Sequence, residues 1–364
     1  MRPPLFIPKS PTVSTAMAGA NNFTILRLLL AVAVVVSHAF SVTTGAVMDE
    51  PLASSTGFTL GEHAVNGFFV VSGFLVTMSF DQRGWRDYVI ARALRIAPGL
   101  IVATLVVALL LGGAMTSLPL TAYLESPDLR RFIGMTLSSF KSNIALPGVF
   151  ADNPFKFPMG TVWTLKYEVL CYAGVLAFGL VGLLRSRAVA LALVAGLALS
   201  LASLDFFRPD APKGLETSLR LPLIFAFGGA LYVWRNRVRL SGPVAFALIA
   251  ATWLAGGTFL YKTLLFLATS YGIMWLALAP VLTRWSYEPR ADLSYGTYLY
   301  GWPVQQTLHA LFPATAALVL LAPSLLITLA AGALSWYAVE KPALAVKART
   351  LGRRTLKTIE PAAP

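Results

Sequence analysis

The chain is poor in charge and in the residues that usually hold metals or cross-links. Of its 364 residues, 12% are charged, three are histidine and one, Cys171, is cysteine. A single cysteine excludes an internal disulfide and leaves the redox compartment unreadable. Three histidines and one cysteine, with no ligand spacing among the acids, give no metal site. Soluble domains carry about a quarter charged residues. Here 57% of residues are hydrophobic and mean hydropathy is +0.70, more apolar surface than one soluble core could hide. The net charge of +13 does not mark a nucleic-acid partner, because the basic residues are scattered between apolar stretches.

Long apolar runs are abundant. A membrane-crossing helix needs about 20 such residues. Runs of that kind lie near 23–43, 62–80, 95–115, 160–184, 187–204, 219–235, 242–260, 263–283, 293–312 and 315–338. They do not alternate with period two, which argues against strands. The reading is an all-α polytopic membrane protein of about ten transmembrane helices with both termini cytoplasmic. Charge supports it. With the N-terminus inside, 19 of the 29 Lys and Arg fall inside, 8 fall outside, and Arg27 and Lys166 lie within helices; cytoplasmic loops collect such charge. A rival reading takes LLLAVAVVV (28–36) as a signal-peptide core with a cleavage site near Thr44–Ala46, leaving nine helices. Residues 1–20 read as an unstructured cytoplasmic segment, with Met17 an alternative start. Residues 21–345 read as one transmembrane domain and 346–364 as a basic cytoplasmic tail. The long outer segment 116–159 carries Phe140, Phe150, Phe155 and Phe157 and suits a lid, an acceptor platform or simple packing on the bundle.

Ionisable residues inside apolar helices are costly and point to function. Arg27 and His38 are eleven residues apart in one helix. They share a face and lie about 16 Å apart along its axis. Histidine suits general-base work near neutral pH. The second run holds Asn66 and Ser72 among small residues that permit close packing. Arg92 and Arg95 follow as i, i+3 neighbours, suited to phosphate, to anionic lipid, or to topology alone. Near 160–184, Trp163, Lys166, Tyr167 and Glu168 cluster at the outer entrance, with Lys166 expected to meet a carboxylate. Tyr295 and Tyr298 lie deeper than an interfacial belt needs and read as lining a cavity, with Asn66, Ser72, Trp163 and Tyr167. His63 and His309 lie at outer helix ends and read as surface residues.

In order, the chain presents Arg27-x10-His38, GFFVVSGFL from Gly67, Arg92-x-x-Arg95, WTLKYE ending at Glu168, LSYGTYLYGWP ending at Pro303, and EKP at Glu340–Pro342. Over 21–345 this resembles the acyltransferase-3 family of membrane-bound acyltransferases. The resemblance implies a multi-pass enzyme of the bacterial inner membrane. It implies transfer of an acyl group, usually acetyl from acetyl-CoA, to a hydroxyl, most often of a surface polysaccharide, lipopolysaccharide or lipid-linked sugar. Acetyl-CoA is then a co-substrate, and no resident cofactor is expected. Succinyl transfer stays open, as does the oligomeric state. Many members carry a His before the ninth-helix aromatic-Pro pair, where this chain has Gly301. His38 is therefore the expected catalytic base or transient acyl carrier. Arg27, Arg92 and Arg95 are the expected donor-binding residues. Glu168 is expected to orient His38 or bind the acceptor. The rival class is a secondary transporter whose buried charges line a substrate path.

Overall fold

A computed structural model describes residues 12–19, 21–283, 289 and 291–346. Among them the fold is all helical; the sole β feature is an isolated bridge between Thr12 and Arg239. Each of the ten expected runs is a helix. These are α1 (Phe23–Thr44), α2 (Leu60–Arg83), α3 (Trp85–Met115), α4 (Thr164–Leu180), α5 (Arg187–Phe207), α6 (Lys213–Val233), α7 (Gly242–Leu254), α8 (Tyr261–Leu278), α9 (Ser294–Leu311) and α10 (Ala317–Val346).

Six of them, α1, α2, α3, α5, α8 and α10, are long and apolar enough to cross a membrane by themselves. The other four miss for separate reasons. Helix α4 has 17 residues and α7 has 13. Helix α6 contains Lys213, Glu216 and Arg220, and α9 is rich in Tyr, Thr and Gln. Large apolar side chains stay exposed along α5 and α7, among them Leu199, Phe207, Trp253 and Leu254. In water that surface would be unfavourable; facing lipid it is the expected surface. The chain is a multi-pass membrane protein.

The chain divides into two compact units. Among the described residues the first comprises 12–19, 21–26, 66–82 and 177–283. In it α2 packs against α6 at glycines. A Cβ on Gly73 would run into the Phe225 carbonyl, and one on Gly228 into that of Val70. Such close approach is what small residues provide where lipid supplies no hydrophobic drive between helices. The N-terminal segment departs from its expected disorder at Val13–Met17, which forms a short helix. Thr12 caps it, and Val13 N–H donates to Val238 O at 2.9 Å. Residues 1–11 and the tail beyond 346 lie outside the described residues.

Among the described residues the second unit comprises 27–65, 83–176, 289 and 291–346. Helices α9 and α10 touch through Gly296 and Gly332, which leave no room for a side chain between them. Helix α10 widens into a π-helical turn over Trp336–Glu340. The segment between α3 and α4 packs down rather than standing free. Its Leu146, Val149, Phe150 and Met159 are buried. Gln306 of α9 donates to Phe155 O at 2.6 Å, and Asn153 donates to Gln306 Oε1 at 2.7 Å.

Candidate active site

All the acid–base and arginine chemistry expected from the sequence, apart from Asn66 and Ser72, lies in the second unit. It forms two clusters, one toward each end of α1.

The first cluster surrounds His38. Ser37, His38 and Ser41 share one side of α1, because residues three and four apart are helical neighbours. The loop after α1 turns back and inserts Glu50, 4% exposed, against that side. Glu50 Oε1 lies 3.0 Å from His38 Nδ1 and accepts from Ser41 Oγ at 2.5 Å. Its Oε2 accepts from Ser37 Oγ, and Ser37 Oγ also accepts from Gly61 N–H at 2.8 Å. Burial alone would raise the Glu50 carboxyl. The hydrogen bond and charge of His38, with the two serine hydroxyls, outweigh it and hold the group down to about 2. An ionised carboxylate on Nδ1 fixes the imidazole orientation and leaves Nε2 as its second nitrogen.

Aromatic rings wall this site. Trp302 meets His38 edge-on, with centroids 5.1 Å apart. Phe157 stacks on Trp302 at 5.4 Å and 7°, and Phe155 lies 5.5 Å from it. The indole N–H donates to Phe157 O at 2.8 Å. The segment between α3 and α4 thus packs on α9 and brings Phe155 and Phe157 against Trp302, the ring that meets His38. Where many relatives are expected to carry a histidine, the Gly301 position is filled by a neighbour: a Cβ there would lie 2.8 Å from Val35 Cγ2.

The second cluster joins residues far apart in sequence. Asp292 Oδ2 lies 2.7 Å from Arg27 Nη1 and 2.9 Å from Arg95 Nη2. Ser294 Oγ donates to Asp292 Oδ1 at 2.5 Å. Burial would raise the Asp292 carboxyl, but Arg27 and Arg95 hold it well below the usual carboxylate range. Arg95 also reaches Glu340, Nη1 to Oε2 at 3.5 Å, and packs over the Tyr295 ring at 5.6 Å. Glu340 is buried and accepts from Ser335 Oγ at 2.9 Å. Two guanidinium groups are therefore matched by two carboxylates. Arg92 differs. Its guanidinium packs on the Tyr172 ring at 5.5 Å, and its buried Nε has no hydrogen-bond partner among the described residues.

Glu168 accepts from the Tyr172 hydroxyl, so Glu50, not Glu168, occupies the place beside His38. Lys166 is exposed and lies over the Tyr167 ring at 4.6 Å rather than against a carboxylate; Trp163 meets Tyr167 edge-on at 6.0 Å. Tyr295 and Tyr298 are buried, with hydroxyls engaged by Ile96 O at 2.9 Å and by Thr161 O at 2.8 Å. Tyr295 thus ties α9 to α3, and Tyr298 ties α9 to the turn before α4. Asn66 and Ser72 belong to the first unit; Asn66 is fully buried and neither amide atom has a partner among the described residues. His309 is buried rather than superficial, and His63 lies 3.0 Å from Thr56 Oγ1. No group of three or more metal-ligating side chains is present among the described residues. Glu50 and Asp292 are the residues the sequence did not single out. Each sits just outside an apolar run, where an acid looks like ordinary loop polarity.

A family model for an acyltransferase domain matches residues 21–337. The nodulation protein 10 of Rhizobium leguminosarum bv. viciae is 28% identical over 92% of this chain and 96% of its own length. The O-acetyl transferase of Shigella phage Sf6 is 26% identical over 89% of this chain and 96% of its own length. No solved structure matches the chain.

Proposed function

The chain belongs to the acyltransferase-3 family, and from that premise we propose that it is an O-acyltransferase of the bacterial inner membrane. It moves an acyl group, acetyl in the simplest case, from acyl-CoA to a sugar hydroxyl of a surface polysaccharide, lipopolysaccharide or related glycan. The relative named an O-acetyl transferase supports the oxygen acceptor. All ten helices cross the membrane in this proposal, with both termini cytoplasmic, which agrees with the distribution of Lys and Arg.

One observation carries the chemistry: Glu50 beside His38 Nδ1 at 3.0 Å. A base fixed in this way takes the proton of the acceptor hydroxyl on Nε2 as the oxygen attacks the thioester carbonyl. The new C–O bond forms, the C–S bond breaks, and the proton on His38 passes to the departing thiolate. The rings of Trp302, Phe155 and Phe157 keep water from the donor. Arg92 holds donor phosphate; Arg27 and Arg95 shape that end of the site through Asp292 and Glu340.

The test is labelled acetyl transfer from acetyl-CoA in inverted membranes, comparing the wild type with His38→Ala and extracting glycan afterwards. Label in wild-type glycan alone is the expected result. Equal label with His38→Ala would overturn the role of the base. No label in either, with intact protein and with acetyl- and succinyl-CoA both tried, would overturn the enzyme reading.

A further inference from the structure

The first unit contains a cavity of about 590 Å³ whose lining includes none of the residues assigned above to acyl transfer. Its lining includes Asp81 from the end of α2, Arg185 from the connection after α4, Arg187 at the start of α5, and Tyr232, Arg235 and Asn236 at and beyond the end of α6. Asp81 Oδ1 accepts from Arg185 Nε at 2.6 Å, and its Oδ2 accepts from the Tyr232 hydroxyl at 2.8 Å. Arg235 Nη2 lies 3.8 Å from the same carboxylate. One carboxylate cannot offset three guanidinium groups, so the cavity keeps an excess of about two positive charges.

Sorting charge to one side of a membrane would need only solvated loops. These arginines are arranged differently. The Arg187 guanidinium lies over the Trp234 ring at 5.6 Å, and that of Arg235 over Tyr232 at 4.1 Å. The Trp234 indole N–H donates back to Arg187 O at 3.3 Å, closing the two connections on each other. Held on rings and half-buried, the guanidinium groups lose little freedom on meeting an anion. The complement to a net excess of guanidinium charge and an amide around a concavity is a phosphate, with one or two charges and several acceptor oxygens. The cavity also lies where apolar helices end, and basic pockets between helices at a membrane surface take anionic lipid.

We propose that this cavity binds the phosphate of an anionic phospholipid headgroup. Inorganic phosphate and a nucleotide share that chemistry, and the test separates them. Full-length protein is placed in phosphatidylcholine nanodiscs with a small fraction of labelled phosphatidylglycerol, and retention of the label is measured. Arg187→Gln/Arg235→Gln should weaken retention on the order of tenfold. Asn236→Asp, an exposed position needing no refolding, should weaken it in the same direction and serves if the double variant is not monodisperse. Millimolar inorganic phosphate or ADP should leave the lipid bound. Displacement by either would keep the phosphate site and assign it to a soluble ligand. Unchanged phosphatidylglycerol retention in both variants would overturn the proposal. Acyl transfer is not the readout, so this result stands or falls apart from the catalytic reading.

Discussion

His38 Nδ1 and Glu50 Oε1 lie 3.0 Å apart, one on a transmembrane helix and the other on the loop that turns back over its end. The pair makes the loop part of the acid–base machinery. Replacing Glu50 by Gln keeps the size but removes the charge that stabilises the protonated imidazole. We expect kcat to fall on the order of a hundredfold, at the lower end of general acid–base effects, with KM for acyl-CoA little changed. Steady-state transfer in detergent or nanodiscs reads both. A kcat within twofold of wild type would remove Glu50 from the mechanism.

The same carboxylate links stability to pH. Its folded value of about 2 lies below the ordinary 4.5. A depressed carboxyl stabilises the fold above its unfolded value, and that contribution disappears as pH falls through the folded value. The window is therefore pH 4.5 down to about 2, and the whole contribution is on the order of 3 kcal/mol. Melting of wild type and Glu50→Gln should differ most at neutral pH and converge as pH approaches 2. A gap that widened on acidification would contradict the assignment. Asp292 titrates in both proteins, so comparing them isolates Glu50.

The arginines should separate by variant. Arg92→Ala is expected to raise KM for acyl-CoA about tenfold or more, by loss of a charged contact to phosphate, with a near-normal melting profile. Asp292→Ala leaves Arg27 and Arg95 without their shared carboxylate. It should lower stability on the order of 3 kcal/mol, seen as a lower melting temperature at unchanged ionic strength. If Arg92→Ala left KM unchanged, the donor phosphate would have to be sought elsewhere.

Gly301 offers a test of packing. A histidine there meets Val35 on α1, and overpacking of this kind costs about 1–3 kcal/mol. Gly301→His should melt early, and Val35→Ala in the same chain should restore much of the loss. Rescue would show that the two positions are read together. Early melting unrelieved by Val35→Ala would place the obstruction elsewhere.

The helices were legible because they follow apolar runs, six of them long and apolar enough to cross a membrane alone, and such runs leave a local signature. The Arg27 and His38 face was legible for the same reason, since it depends only on helical period. What the sequence did not reveal was pairing. Arg27 meets Asp292 across 265 positions, and no periodicity connects them. Glu50 sits in a short polar loop whose fold is set by Ser37, His38 and Ser41 acting together, so no single neighbour announces it. His309 is buried although it lies near a helix end, because proximity to an end says nothing about what covers a side chain. The short helix Val13–Met17 depends on a backbone partner, Val238, that no local pattern could name.

The π-helical turn of α10 alters how its sequence must be counted. Across Trp336–Glu340 the chain spends more residues per turn than an α-helix does. A wheel drawn at 100° per residue therefore loses phase before it reaches Glu340 and assigns that carboxylate to the wrong side. Winding the same residues as an uninterrupted α-helix would swing Glu340 away from Arg95 and put every later residue out of step, whereas deleting one residue within the turn would regularise the helix and keep the two flanks in phase. The motif at Glu340–Pro342 is thus a statement about register as much as composition: the same three letters grafted onto an uninterrupted helix would be spelled correctly and face elsewhere.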